Sequence, residues 1–599
     1  MTSYDSEPVD RLPFGSAEKA ARYDTDRYVG ATGLNWWRCD PTLQFVMRYY
    51  LGDDELAWAT PHLDRFGALM GGPVSERAEQ TDKHPPRLER YDRWGHDISE
   101  IVLPPSFIES RRDVLANSFD APDIREDAAR RGIKLTMLNA AHSYLLDQAE
   151  IGMACALGTG GDMVLNLVSA FAPADIRERV MAKFASGEWA GQTVQSLTER
   201  TGGSDLAELE TTATPDRDAW RINGFKWFAS NASGAAWVVL AKPEGAPDNA
   251  RGIANFLVLN ERRDGSRNGI RIRRLKDKLG TKAVASAEVE FVDAEAFLLS
   301  GRAEGTEGAD GAAAAGSVGD GKGLARMMAL TNGARLGIAM MGLGCARRAL
   351  VEAMCYARAR PSFGHSLADH PLMQRKLAEL IVEVEGAQAL VFDGFDPAHR
   401  LRIGAPLIKL RASRLGITAA SDAIEVHGGN GYVENWPVAR ILRDAQVNTL
   451  WEGPDNILCL DVRRGIEREQ ADVAFVDRLR AAVTAGPAGD ATTDLVAERV
   501  DQVALAIERW KTLPRAVGEA RLFPLAQLMA DVYTAALLVQ QAGFEQRQMG
   551  SDRKGLVARL YARRHLQDDG PLRGIDDPSN EDLDRFKELW DGALLDDRV

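Results

Sequence analysis

A carboxylate set between an aromatic ring and a glycine stands out in Val447-Asn448-Thr449-Leu450-Trp451-Glu452-Gly453-Pro454-Asp455-Asn456. Glu452 has the makings of a base that reaches a buried carbon acid. Trp451 would keep water away, Gly453 would let a ligand approach the backbone, and the carboxylate would take a proton. The same residues also fit a plainer role, a glutamate that starts or caps the helix that follows. Further upstream, Thr198-Glu199-Arg200-Thr201-Gly202-Gly203-Ser204-Asp205 sets two hydroxyls six residues apart around a glycine pair. Such a turn can offer hydroxyls and backbone N–H groups to a planar polar ligand, or be an ordinary surface turn. Arg358 and Arg360 end a helical stretch, where they read either as a solvated terminus or as a clamp for phosphate.

Other motifs are excluded. Gly316-Ser317-Val318-Gly319-Asp320-Gly321-Lys322-Gly323 imitates a phosphate loop, but Gly323 replaces the magnesium-binding hydroxyl and no apolar strand leads into it. The nine histidines include no HExxH pair, and His427 beside Gly428-Gly429 reads as a packing residue. No GxSxG elbow supports serine hydrolysis.

These residues need a scaffold, and the pattern predicts one that is mostly α with a β insert. Residues 1–103 are rich in aromatics, proline and charge and read as an ordered wrapping segment. Over 104–189 the spacing of Leu138, Ala141, Leu145 and Ala149 predicts helices, and Pro173-Ala174-Asp175 predicts a helix start. Over 190–300, the runs Trp220–Phe228, Trp237–Ala241 and Ala287–Val292 predict an antiparallel β domain. Helical spacing returns in 301–465 and continues through a C-terminal extension, 466–599, at Leu525, Leu528, Val532, Ala535 and Val539 and again at Leu556 and Leu560. The Gly/Ala-rich stretch 304–321 reads as a mobile surface loop.

At 599 residues the chain needs several domains, and 45% hydrophobic with 27% charged residues is an ordinary globular balance. A net charge of -14 argues against a nucleic-acid surface as the main business of the chain. The extension carries 18 Lys and Arg against 24 Asp and Glu, a balance of -6, although Arg553-Lys554, Arg559 and Arg563-Arg564 would suffice for a local basic stripe. Five scattered cysteines without a CxxC pair, an acidic start and no apolar run of about 18 residues predict a cytoplasmic protein without disulfides or membrane spans.

Taken in order, the motifs TExGGSD, KWFxSN, YAxxRxxFGxxL, GGxGY and RDxxxxxxWEG resemble the acyl-CoA dehydrogenase flavoproteins over about residues 100–465. The long N-terminal segment with Pro85-Pro86-Arg87-Leu88-Glu89-Arg90-Tyr91-Asp92, the stretch Arg274–Gly280 and the extension resemble the larger, AidB-like branch. The resemblance implies FAD held between the β domain and a helical bundle. It implies Thr198, Gly203, Ser204, Phe228, Ser230, Gly428 and Gly429 at the cofactor, with Arg360, Phe363 and Gln374 reaching a neighbouring subunit's FAD. Pro454 stands where the family has Thr or Ser, removing a flavin contact that Asp455 or Asn456 would have to replace. Glu425 stands where many members carry Gln.

Glu452 matches the family's catalytic base. The alternative position, one before Arg335, is Ala334, which cannot abstract a proton. Arg335, Trp451 and Gly453 are implied at the substrate, with Arg335 either contacting the CoA moiety or orienting the site. The resemblance thus implies α,β-dehydrogenation of an acyl-CoA thioester, an electron-transferring flavoprotein as acceptor and a homo-oligomer, dimer or tetramer. Oxygen as acceptor stays open. The contrasting expectation is an AidB-like flavoprotein that binds DNA with little or no dehydrogenation.

Overall fold

The computed structural model describes residues 30–159, 161–300, 320–568, 570, 575 and 579–596. The stretch 304–321 and the phosphate-loop mimic lie, but for their last residues, outside them.

The N-terminal segment is helical first: α1 (Pro41–Tyr50), α2 (Asp53–Leu69) and α3 (Ser75–Lys83). Asp40 caps α1 by accepting the Leu43 N–H at 2.9 Å, and it also accepts the Tyr144 hydroxyl at 2.8 Å. One buried carboxylate thus starts a helix and ties the segment to the bundle. A hairpin follows, β1 (Arg87–Tyr91) and β2 (Asp97–Val102). It lies on the middle domain, with Leu88 and Ile101 packed against that domain's core and Ser99 Oγ accepting the Ile272 N–H at 2.8 Å.

Helices α4 (Pro105–Asn117), α5 (Pro122–Arg131), α6 (Thr136–Ala149), α7 (Ile151–Gly158), α8 (Gly161–Phe171) and α9 (Ala174–Ala185) come next. Leu138, Ala141, Leu145 and Ala149 are all buried on α6, and α9 starts directly after Pro173, as the spacing predicts.

The middle domain is a seven-stranded sheet of β3 (Thr193–Ser196), β4 (Thr212–Asp216), β5 (Ala219–Ser230), β6 (Ala236–Pro243), β7 (Ala254–Leu259), β8 (Ile270–Leu275) and β9 (Ser286–Leu298), in the order β3-β5-β4-β6-β7-β9-β8. Most pairings are antiparallel, but β6 runs parallel to β3 and β4. The β4–β5 hairpin intervenes between β3 and β6, and a connection of that length permits the parallel return. On β6, Trp237, Val239 and Ala241 enter one core, while Ala236, Val238 and Leu240 enter the other beneath α8 and α9. Burial on both faces explains its unbroken apolar run. Strand β8 alternates, Ile270 and Ile272 in, Arg271 and Arg273 out.

The bundle is built on α10 (Gly323–Ala359), α11 (Pro371–Phe395), α12 (Gly404–His427), α13 (Pro437–Ala445) and α14 (Asp455–Glu469). Helices α10 and α12 touch backbone to backbone at Gly342 and Gly416: a Cβ on Gly342 would stand 2.5 Å from the Ala412 carbonyl oxygen, and one on Gly416 2.8 Å from that of Gly342. Only glycine permits this crossing.

The extension adds α15 (Ala471–Thr484), α16 (Ala491–Lys511), α17 (Leu522–Met549), α18 (Arg553–Leu566) and α19 (Phe586–Ala593) to the same core. On α17, Leu525, Val532, Ala535 and Val539 are buried and Leu528 is half-buried. This helix has no unbroken apolar run of about 18 residues, in line with the sequence, yet it is long and apolar on average. By length and composition it qualifies as a membrane span, but 72% of its most apolar window is buried inside the fold. Isolated polar residues such as Gln527 and Asp531 hide it from a search for unbroken apolar runs.

Candidate active site

Glu452 lies in the short turn between α13 and α14, and its backbone is left-handed, φ 52°, followed by Gly453 at φ 101°. Two consecutive residues of that hand make a sharp turn which glycine tolerates and glutamate does not favour. Two buried cations hold it. Arg335, from α10, donates from Nε to the Glu452 carbonyl at 3.2 Å, and Lys409, from α12, donates from Nζ to the Gly453 carbonyl at 2.6 Å. Arg335 is further bound by Asp461 and, at 2.8 Å, by Asn332. Its Nε and Nη1 are therefore committed within the chain, a geometry suited to the orienting role.

Burial pushes the Glu452 carboxyl up from its ordinary value of 4.5, against the opposing pull of Arg335 and Lys409. Burial also brings the Lys409 ammonium down to about 8. Trp451 is half-buried against the helical core. Glu452 does not cap the next helix: Pro454 holds that position, with no side-chain cap.

On the sheet side, Glu199 N–H donates to the Gly202 carbonyl at 3.0 Å, closing the turn that carries Thr198, Gly203 and Ser204. The Trp227 N–H donates to the Thr198 carbonyl at 2.8 Å and draws that turn onto β5. Beneath it, Lys226 Nζ donates to Glu199 at 2.6 Å and to the Leu240 carbonyl at 2.7 Å, a fully buried ion pair. Phe228 is 46% exposed, and Ser230 shares a hydrogen bond of 3.1 Å with Ser286. Lys278 Nζ donates to Ser286 Oγ at 3.3 Å, and burial raises the nearby Cys155 thiol, with Lys278 opposing the rise and Glu452 adding to it.

The remaining expected residues form a second group at the far end of α10. Arg360 is exposed just past its C-terminus and Phe363 is 94% exposed in the following turn, with Gln374 half-buried on α11. Gly428 and Gly429 are exposed nearby, tied in by Asn430 donating to the Tyr356 hydroxyl at 3.2 Å and by His427 stacked on Tyr356 at 4.3 Å. From Arg335 to Arg360 is about 25 residues of one helix, roughly 38 Å at the α-helical rise. One copy of the chain does not bring this group to Glu452. Arg358 pairs with Asp596, and Glu425 accepts from Lys376 Nζ at 2.7 Å.

The domain profiles that match are the acyl-CoA dehydrogenase C-terminal domain over residues 321–467, the acyl-CoA dehydrogenase middle domain over 195–294 and the N-terminal domain of the adaptive response protein AidB over 30–190. AidB of Escherichia coli is 30% identical over 433 residues, 69% of this chain and 75% of that protein. The chain belongs to the acyl-CoA dehydrogenase family. It falls in the AidB-like branch, and acyl-CoA dehydrogenase family member 11 of Caenorhabditis elegans is 28% identical over 86% of this chain and 85% of its own length. The crystal structure of C. elegans ACDH-11 in complex with C11-CoA has a TM-score of 0.78 at 25% identity, covering 90% of this chain and 93% of that one.

The acyl-CoA dehydrogenase family binds FAD, and the sheet side of this member is chemically suited to it. Among the described residues no acceptor takes the Gly203 or Ser204 N–H groups, which stand exposed beside the Thr198 hydroxyl. A half-exposed aromatic, Phe228, lies on the adjoining strand. Donors of this kind match a pyrophosphate and a flavin edge. At Gly428 and Gly429 no atom lies within 4 Å of where a Cβ would be, leaving room for a ligand. Of the two residues that could make good the hydroxyl missing at Pro454, Asp455 is buried and bound by Arg414 at 2.8 Å, whereas Asn456 is exposed.

The basic stripe expected on the extension is not a free surface. Arg553 Nη1 and Lys554 Nζ donate to Glu385 at 2.9 and 2.8 Å, Arg559 pairs with Asp552 at 3.2 Å, Arg563 donates to Ser579 at 2.7 Å, and Arg564 pairs with Glu379 at 3.0 Å. Each cation is spent on packing the extension. The sequence reading missed Lys409 altogether. Its signal is a lone lysine inside the apolar helical run Pro406-Leu407-Ile408-Lys409-Leu410.

Proposed function

We propose that this acyl-CoA dehydrogenase performs α,β-dehydrogenation of an acyl-CoA thioester, with Glu452 as the base that removes the α-proton. The observation that carries the reading is the Glu452 carboxyl itself, partly withdrawn from water and raised in proton affinity, yet without an ion pair among the described residues. Raised in proton affinity by burial, such a carboxylate gains more from taking a proton than a solvated glutamate does. Among the described residues no acceptor takes the Glu452 N–H, which is suited to donate to the thioester carbonyl as negative charge develops there. Arg335 and Lys409 hold that peptide in place, and Trp451 screens the carboxylate from water.

Bound FAD supplies the acceptor for the β-hydrogen, which leaves with its electron pair. Thr198, Gly203, Ser204, Phe228 and Ser230 would hold the cofactor on the sheet side, with Asn456 available near the base. The partner expected for reoxidation is an electron-transferring flavoprotein. An acyl-CoA ligand is supported by the C11-CoA complex of the C. elegans relative. The separation of Arg360, Phe363, Gln374, Gly428 and Gly429 from Glu452 supports a homo-oligomer in which these residues serve a neighbouring copy's FAD. Binding to DNA has no comparable support once the basic stripe is neutralised.

Anaerobic titration of the FAD-loaded protein with saturated acyl-CoA thioesters of increasing length, C11-CoA among them, tests the reading. Bleaching of the flavin absorbance by at least one thioester is expected, and its loss in Glu452→Gln with FAD retained. A wild-type protein bleached by none overturns the reaction, and a Glu452→Gln variant still bleached overturns the base.

A further inference from the structure

We propose that Lys409 is a positioning residue for this reaction: it grips the Gly453 carbonyl as Arg335 grips that of Glu452, and the two grips together aim the Glu452 carboxylate. The inference rests on Glu452 being the base.

A glutamate in the left-handed region is strained relative to ordinary backbone. The conformation persists only where the surroundings impose it. At this turn two cations from two different helices supply that restraint, one on each successive carbonyl, at 3.2 and 2.6 Å. The helices are α10 and α12, locked backbone to backbone at Gly342 and Gly416. The separation of the two grips is thus set by a backbone-to-backbone contact between the helices that carry them.

Lys409 is not explained as a neutralised core lysine. Its side chain is fully buried, a costly place for an ammonium. Lys226, equally buried, has a carboxylate at 2.6 Å. Among the described residues Lys409 has none within 4 Å, and it donates instead to the Gly453 carbonyl. The charged groups acting on it are Asp455 from α14, Arg335 from α10 and Glu452 from the turn. Glu452 in turn is faced by Arg335, Lys409 and, from α7, Cys155. Lys409 therefore serves twice: its N–H fixes the turn, and its charge favours the ionised base. A purely structural lysine would do only the first.

Three substitutions separate these roles in the FAD-loaded protein, read as kcat, KM and the pH profile of kcat/KM with the thioester that wild type turns over fastest and a dye as acceptor. Lys409→Met, which removes donor and charge, should lower kcat by about tenfold to a hundredfold, the scale of a misplaced catalytic group, with KM changed far less. Its apparent base pKa should rise. Lys409→Gln, which keeps a donor without the charge, should show the same rise with a smaller loss of kcat. Lys409→Arg should bring the base pKa back to that of wild type. A folded, FAD-bound Lys409→Met with wild-type kcat and profile overturns the proposal. Should that variant not fold, Lys409→Arg and Lys409→Gln decide it, since matching pH profiles for the two would leave the charge without a role. A Glu452→Gln variant that still bleaches strikes the base itself; an inert Glu452→Gln beside a normal Lys409→Met strikes only this inference.

Discussion

Arg335 meets Glu452 at its peptide carbonyl, 3.2 Å from Nε, and not at its carboxylate. A guanidinium clamped on the carboxylate would hold it ionised and bonded, reluctant to accept a proton. Bound to the carbonyl, the same cation shapes the backbone and leaves the carboxylate without an ion pair among the described residues. Asp461 keeps Arg335 in this posture, and Arg402 in turn holds Asp461 at 2.8 Å.

Glu452→Gln should lower kcat by about 10²–10⁴-fold, the usual weight of a positioned base, with FAD still bound. In wild type kcat/KM should climb with pH through an inflection above 4.5, because burial raises this carboxyl and only its ionised form removes a proton. The folded chain keeps a proton that the unfolded chain has already released, so the stability tied to this group is lost as pH rises through the folded value. Glu452→Gln should then melt higher than wild type in mildly alkaline buffer, which calorimetry measures.

Gly453→Ala should damage the turn in two ways. Its φ of 101° is closed to residues bearing a Cβ, and the added methyl would stand 3.0 Å from Ile457 Cγ2. A fall of kcat by at least about tenfold is expected, as the base shifts from its aim. Stopped-flow bleaching at saturating thioester reads it directly.

Asp147 is 4% exposed, and its Oδ1 is without a partner among the described residues. Burial raises its carboxyl well above 3.8, so the folded protein holds this proton far into the range where the unfolded chain has lost it. Stability should fall as pH rises from mildly acidic to mildly alkaline. Asp147→Asn, neutral and of the same shape, should flatten that slope in melting curves taken across the range; an unchanged slope would mean that other groups cause it.

Glu385→Gln should strand Arg553 and Lys554 with half a partner. Breaking such a buried pair costs about 3–5 kcal/mol. Arg553 also donates to the carbonyls of Glu588, at 3.3 Å, and Leu589, at 3.1 Å, so α19 should loosen with it. Limited proteolysis should clip the C-terminal helix of the variant before that of wild type.

Much of this architecture is legible in the sequence because its signals are local. The run Trp237–Ala241 announces a doubly buried strand, and Leu138, Ala141, Leu145 and Ala149 mark one helical face. The motifs around Thr198, Phe228 and Glu452 stand out by residue type alone. What stays hidden depends on partners far apart in the chain. Glu199 looks like part of a ligand turn until Lys226 is seen beneath it. Arg553 and Lys554 look like an open basic surface because Glu385, which neutralises both, lies 168 and 169 residues away. Lys409 passes for a helix residue among others, since nothing in its own neighbourhood of sequence reveals the carbonyl of Gly453.

The hairpin Arg87–Val102 gives the N-terminal segment a meaning beyond wrapping. Strand β8 closes one side of the sheet, and a closing strand left bare invites pairing with any extended chain. Ser99 occupies the Ile272 N–H, while Leu88 and Ile101 shield the apolar residues beside it. A shortened protein beginning after the hairpin would keep the motifs around Thr198, Phe228 and Glu452 and still be prone to self-association, so the hairpin acts as the sheet's chaperone within the same molecule.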